Sequence, residues 1–99
     1  MRNVIILEEA AGDIEESRKF HDAHEHGIGD YFADSITADI LELRHLSGIH
    51  SQHFGFLRML GSRFSLGIYY RERGNDTLVA AVLDLRRDPK WIRKQLRQR

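Results

Sequence analysis

The apolar residues of this 99-residue chain switch from a helical to an alternating spacing near residue 53, and that switch fixes the class of fold. Before it the spacing is helical. Ile28, Phe32, Ile36, Ile40 and Leu43 recur at steps of four, four, four and three, with Tyr31 and Leu46 beside them. That is one apolar stripe on a helix of about five turns, predicted from about Gly29 to Leu46. After the change the period is two: Phe64, Leu66, Ile68 and Tyr70 alternate with Arg63, Ser65, Gly67, Tyr69, Arg71 and Arg73, as in a strand. Helices followed by a strand meander define an α+β domain, with the helices expected on one face of a twisted sheet.

The remaining elements fall around these two. Val4 to Leu7 is a short apolar, β-branched run, and therefore a buried strand. From about Glu8 a helix is predicted, with Ala10, Ala11, Ile14 and Ser17 on one face and Phe20 or His21 continuing it. Glu8, Glu9, Asp13, Glu15 and Glu16 lie elsewhere on it, and the acidic first turns suit the helix dipole. It should end near His26-Gly27, where glycine can take the left-handed conformation. So short a link to the next helix implies an antiparallel hairpin. Ser47 to His53 has no periodicity and reads as a loop, Phe54 to Leu60 as a strand and Gly61-Ser62 as a turn. Gly74-Asn75-Asp76 is hairpin-turn chemistry, and Thr77 to Leu85 is nearly all apolar, as in a central strand. Asp88-Pro89 opens a last helix, with Trp91, Ile92 and Leu96 inward and Arg93, Lys94, Arg97 and Arg99 outward. The predicted order is β-α-α-β-β-β-α in a single domain, residues 1–99, without repeats or linkers.

Composition narrows the function classes. Cysteine is absent, so there is neither a disulfide nor a thiol nucleophile, and a cytoplasmic setting suits the chain. No stretch is long and apolar enough to span a bilayer, and Met1 to Leu7 is too short for a secretory signal, so no membrane partner is expected. The formal charge is zero, but residues 1–50 carry four basic and eleven acidic side chains, and residues 51–99 carry eleven basic and four acidic. The second half is thus suited to an anionic partner.

The basic residues concentrate in one constellation. Arg63, Arg71 and Arg73 share the parity opposite to the core, with Tyr69 among them, and Arg58, Arg86 and Arg87 can join them across the sheet. Arginines around an exposed aromatic suit phosphates, stacked bases or carboxylates. The plainer alternative is a solvated strand face, a common use of such positions. His21, His24 and His26, with Asp22 and Glu25, mimic a metal cluster, but His26 leaves the shared helix face and no thiolate assists, so neither metal nor cofactor is expected. No nucleophile elbow or phosphate-binding loop is present.

Four stretches together resemble the RelE/ParE toxin superfamily over essentially the whole chain. Val4 to Ile14, with its Ala10-Ala11-Gly12-Asp13-Ile14, is similar to the family's first strand and helix entry. Gly27-Ile28-Gly29-Asp30-Tyr31-Phe32 resembles the start of its second helix, Arg63 to Arg71 its third strand, and Val82 to Pro89 its last strand and exit. The resemblance implies the toxin of a type II toxin–antitoxin (plasmid stabilisation) system, held by a cognate antitoxin whose extended tail covers a groove between helices and sheet. A homodimer or a toxin–antitoxin hetero-oligomer is compatible with it.

Within the superfamily the long helices and the terminal Arg86-Arg87-Asp88-Pro89 look more ParE-like, which implies DNA gyrase as target. The RelE-like alternative is a ribosome-dependent mRNA endoribonuclease, the one enzymatic option, with Arg58, Arg63, Tyr69 and Arg86 as candidate catalytic residues. No lysine lies on the predicted sheet and no general base stands out, and Asp84 occupies a position where ParE-like chains often have histidine. A relative that only binds its partner is the third alternative. For target or antitoxin binding the candidates are Arg58, Arg63, Tyr69, Arg71, Arg86, Arg87 and Trp91.

Overall fold

Period-two alternation and helical stripes resolve into a five-stranded sheet in the order β1-β5-β4-β3-β2 in the computed structural model, which describes residues 1–99. The strands are β1 (Asn3–Ile6), β2 (Gln52–His53), β3 (Phe56–Leu60), β4 (Leu66–Arg73) and β5 (Asp76–Asp84). The helices are α1 (Glu8–His24), α2 (Ile28–Leu41), a single turn α3 (Leu43–Leu46) and α4 (Pro89–Arg97). Only β1 runs parallel to its neighbour, pairing with β5 from Asn3 opposite Asp76 to Ile6 opposite Val79. The other pairings are antiparallel. No helix is long and apolar enough to cross a membrane.

The helical hairpin α1–α2 packs on one face of the sheet. Ala10, Phe32, Ile36, Ile40 and Leu43 meet Met59, Leu66, Ile68, Tyr70, Val79 and Val82 there. Gly27 at φ +91° makes the turn between the helices. Gly29 lets them close: a Cβ there would sit 2.6 Å from the carbonyl oxygen of Arg18 and 2.8 Å from the Cβ of Asp22. Gly29→Ala is expected to cost about 2 kcal/mol through this overlap, read as a lowered denaturation midpoint with unchanged slope; an unaltered midpoint would show that the helices part freely.

Two expectations change here. The helices do not share one face: α4 covers the other, where Ile92 and Leu96 pack on Phe56, Tyr69, Ala80, Ala81 and Leu83. Tyr69, assigned by parity to an exposed basic face, is therefore 1% exposed. A bulge in β5 shapes this second core. Tyr69 pairs with Ala81 and Tyr70 with Val79, leaving Ala80 as the extra residue.

Smaller differences have local causes. The stripe expected to run unbroken to Leu46 steps at Glu42 between α2 and α3, and the expected loop 47–53 ends in β2, paired to β3. Strand β4 begins at Leu66, because the amide of Leu66 donates to the carbonyl of Phe64 and the amide of Gly61 to the carbonyl of Leu66, closing a turn over residues 61–65. Asp39, which lies off the apolar stripe of α2, is nonetheless buried and pins that turn. Its carboxylate accepts from the amide (2.9 Å) and hydroxyl (2.7 Å) of Ser62.

Candidate functional site

Strand β1 stops beside Val79, so the last five residues of β5 have no strand on that side. Two polar groups of this open edge are satisfied by side chains. The amide of Val82 donates to Asp13 on α1 (3.0 Å), and the carbonyl of Ala80 accepts from Arg99 (3.0 Å). Arg99 also donates to both oxygens of Asp13, at 2.7 and 3.0 Å, and lies 3.4 Å from Glu9. This fastens the end of the chain to α1. Leu85 and its register mates direct their amides toward β4, so the carbonyl of Val82 and the amide of Asp84 face the unoccupied edge.

A cleft of about 570 Å³ opens over this edge, between α1 and α4. Asp13, Glu16, Ser17, Phe20 and His21 form one wall, Trp91, Gln95 and Arg99 the other, and Arg63, Phe64, Arg86 and Arg87 its rim. Phe20 is 56% exposed, so His21 and not Phe20 continues the inner face of α1. His21 stacks on Phe32 (4.8 Å between ring centres) and packs against Phe64 (5.1 Å). Arg87 lies over the Trp91 ring at 3.8 Å.

Charge in the cleft is partly self-neutralised. Arg86 grips Asp84 through Nε (3.0 Å) and Nη2 (2.7 Å), while its amide donates to the same carboxylate (2.8 Å). The hydrogen bond from Arg86 holds the Asp84 carboxyl below the usual carboxylate range, against an opposing effect of burial. Arg86 thus offers less to an outside anion than its sequence context suggests. Burial, followed by the charges of Arg86 and His24, pushes His21 below its ordinary value.

A second cleft of about 280 Å³ lies under the first turn of α4, lined by His53, Phe54, Arg58, Tyr69, Leu85, Pro89 and Ile92. Arg58 and Tyr69 are cross-strand partners. The Nε of Arg58 is buried there without a hydrogen-bond partner. Burial raises the Tyr69 hydroxyl pKa, with Arg58 opposing, and burial lowers that of His53, with Arg58 assisting. Phe54 takes the left-handed conformation, φ +54°, at the turn before β3, a costly one for a bulky residue.

The candidate residues are therefore divided. Arg63, Arg86, Arg87 and Trp91 line the larger cleft, whereas Arg58 and Tyr69 line the smaller. Arg71 belongs to neither; it lies 4.0 Å over the Phe56 ring and donates to the carbonyl of Gly55 (3.3 Å). His53 joins Arg58 and Tyr69, and Asp13 organises the β5 edge. Sequence reasoning singled out neither for those roles. The histidines that mimic a metal cluster in the sequence are set apart: His24 hydrogen-bonds the Phe20 carbonyl, His26 is fully exposed beside Asp22, and no three potential ligands converge.

Three histidines give the fold a defined pH response. His21, His50 and His53 are all held below their ordinary value of 6.5, chiefly by burial. His50 hydrogen-bonds the Tyr70 hydroxyl, which also accepts from the amide of Gly48 (3.0 Å). A depressed folded value means that the unfolded chain binds protons first. Stability is expected to be full above pH 6.5 and to fall as pH drops through 6.5 toward the lower folded values. Thermal midpoints between pH 7.5 and 5 measure this, and His50→Asn should flatten the fall; a pH-independent midpoint would remove the basis for it.

No protein-family model matches the chain, and no curated protein does. Among solved structures, a chain of the "Chromosomal ParDE TA system from P. aeruginosa" aligns with a TM-score of 0.75 over 83% of this chain and 94% of that one, at 14% identity. The chain shares the α+β fold of that ParDE-system chain, with helices on a five-stranded, mostly antiparallel sheet. At that identity the likeness is one of fold.

Proposed function

We propose that this chain is the toxin of a type II toxin–antitoxin pair in the bacterial cytoplasm, ParE-like in its action on DNA gyrase. The antitoxin's extended segment is seated in the α1–α4 cleft. One observation carries the reading: in a fold shared with a ParDE system, the unpaired edge of β5 runs along the floor of a cleft with aromatic and arginine side chains on its walls. A β-strand edge in such a cleft accepts an extended peptide through backbone hydrogen bonds, while side-chain pockets supply specificity. Arg63 and Arg87 on the rim suit acidic side chains of that segment, and Trp91 and Phe20 suit apolar ones.

The test is tightly controlled induction of the chain alone, then with its neighbouring open reading frame. Growth arrest rescued by the neighbour is the expected result; no arrest at good soluble expression would point instead to a relative that only binds its partner. Purified protein is then expected to inhibit gyrase supercoiling, and unimpeded supercoiling at saturating protein would remove gyrase as the target.

The endoribonuclease reading has one observation in its favour, the His53–Arg58–Tyr69 cleft, which places an imidazole held toward its neutral form beside a guanidinium whose Nε has no partner. Against it, Arg63 and Arg86 lie in the other cleft and α4 covers the site. If that reading holds, Arg58→Ala largely abolishes cleavage of mRNA on ribosomes; cleavage undiminished in that variant would exclude the site.

A further inference from the structure

The unequal charge of the two sequence halves becomes two faces in the folded chain. The acidic helices α1 and α2 cover one side of the sheet, and α4 covers the other. From Pro89 to Arg99 there is no acidic side chain. Ile92 and Leu96 hold the inner side of α4 against the sheet, while Lys90, Arg93, Lys94 and Arg97 are all exposed. Their spacing of three, one and three places them on a single helix face, opposite the packed side, in a stripe about 10 Å long at 1.5 Å per residue.

None of the four takes part in an ion pair, although Arg2, Arg18, Arg86 and Arg99 all do. Asp88, the nearest carboxylate in sequence, is engaged as the helix cap, accepting from the amide of Lys90 at 2.8 Å. Favourable interaction with the helix dipole explains basic residues in the last turn, Lys94 and Arg97, but it opposes cations in the first turn, where Lys90 lies. The fold therefore holds four uncompensated cations in a fixed row, on the side turned away from the acidic helices.

We propose that the exposed face of α4 is a docking surface for the phosphodiester backbone of a nucleic-acid duplex. Charge complementarity selects that partner: a row of fixed cations matches a row of phosphates, whereas the acidic opposite face repels the same polyanion and sets the orientation. Arg71, exposed and lying over Phe56 on the same side of the sheet, extends the basic surface. The inference rests on the charge of the folded surface and does not depend on the toxin reading.

The test is fluorescence anisotropy with labelled 20-base-pair duplexes of DNA and of RNA, against the full chain, from 50 to 200 mM salt. Binding is expected at low salt. If all four cations engage, log K falls with log salt at a slope of about −3.6, from about −0.9 per neutralised phosphate. The combined variant Lys90→Gln, Arg93→Gln, Lys94→Gln and Arg97→Gln is expected to lose at least tenfold in affinity, with an unchanged circular dichroism spectrum. If that variant misfolds, the pair Lys90→Gln and Lys94→Gln decides, with a threefold or larger loss expected. Equal binding of DNA and RNA supports recognition of the backbone alone, and preference for one duplex supports a backbone contact tuned to that helix geometry. Absence of binding to either duplex at 50 mM salt, or wild-type affinity in a folded variant, overturns the proposal. Growth arrest and antitoxin rescue are separate readouts, so failure here is distinguishable from failure of the toxin reading.

Discussion

Replacing Asp13 with alanine is expected to destabilise the chain by about 3 kcal/mol, because it leaves the mostly buried charge of Arg99 with only the exposed Glu9 and the Ala80 carbonyl as partners. Asp13 is 14% exposed and Arg99 only 9%. The substitution also removes the acceptor of the Val82 amide on a strand edge with no other partner, and a buried donor left unpaired adds to the cost. For a domain of this size the thermal midpoint should drop by roughly 12–24 °C. Asp13→Asn should lose less, since the amide oxygen still accepts from Val82. Arg99→Met together with Asp13→Ala should recover part of the loss, because that buried charge is then gone. A drop under 3 °C for Asp13→Ala would mean that the end of the chain is not fastened to α1 in solution.

Asp13 also shows where the sequence stops being informative. The apolar stripes and the alternation in residues 64–70 are periodic over many residues, so the elements, their order and the α+β class were legible. Asp13 and Asp39 lie off the apolar stripes of their helices, and a helical wheel records which face a carboxylate occupies, not what waits there. Their partners, Val82 and Ser62, lie 69 and 23 residues away. Tyr69 was misassigned for a related reason. Alternation separates the two faces of a strand but does not say whether the second face is covered. The signal was present in Gly67, Ala80 and Ala81, small residues on a strand pair, and in the apolar side of the last helix, which needed a surface.

The division of the arginines could not be read at all. Arg63 continues the parity of β4, but the hydrogen bonds that close residues 61–65 into a turn leave no trace in a hydropathy pattern. His53 sits in a two-residue strand, too short for any period, and it meets Arg58 and Tyr69 only because Phe54 and Gly55, both at positive φ, turn the chain back into β3.

If the α1–α4 cleft seats the antitoxin segment, filling it should release the toxin from control, and Ser17→Trp is the substitution suited to do so. Ser17 lines the cleft from the middle of α1 and makes no side-chain hydrogen bond that the fold would lose. An indole there occupies much of the space between Phe20 and Gln95, and it competes with the partner without touching the β5 backbone. Loss of a well-packed anchor pocket typically costs 2 kcal/mol or more of binding, so antitoxin affinity is expected to fall at least thirtyfold. Lys19→Trp is the matched control, on the same helix but outside the cleft. Titration calorimetry against the purified antitoxin should separate the two variants, and co-expression should rescue growth for Lys19→Trp but not for Ser17→Trp. The Ser17→Trp protein should keep its thermal midpoint within a few degrees, because a half-buried position at a cleft wall has room for the ring. Wild-type affinity and full rescue by Ser17→Trp would mean that the antitoxin grips another surface, and the open edge of β5 would then need a different occupant.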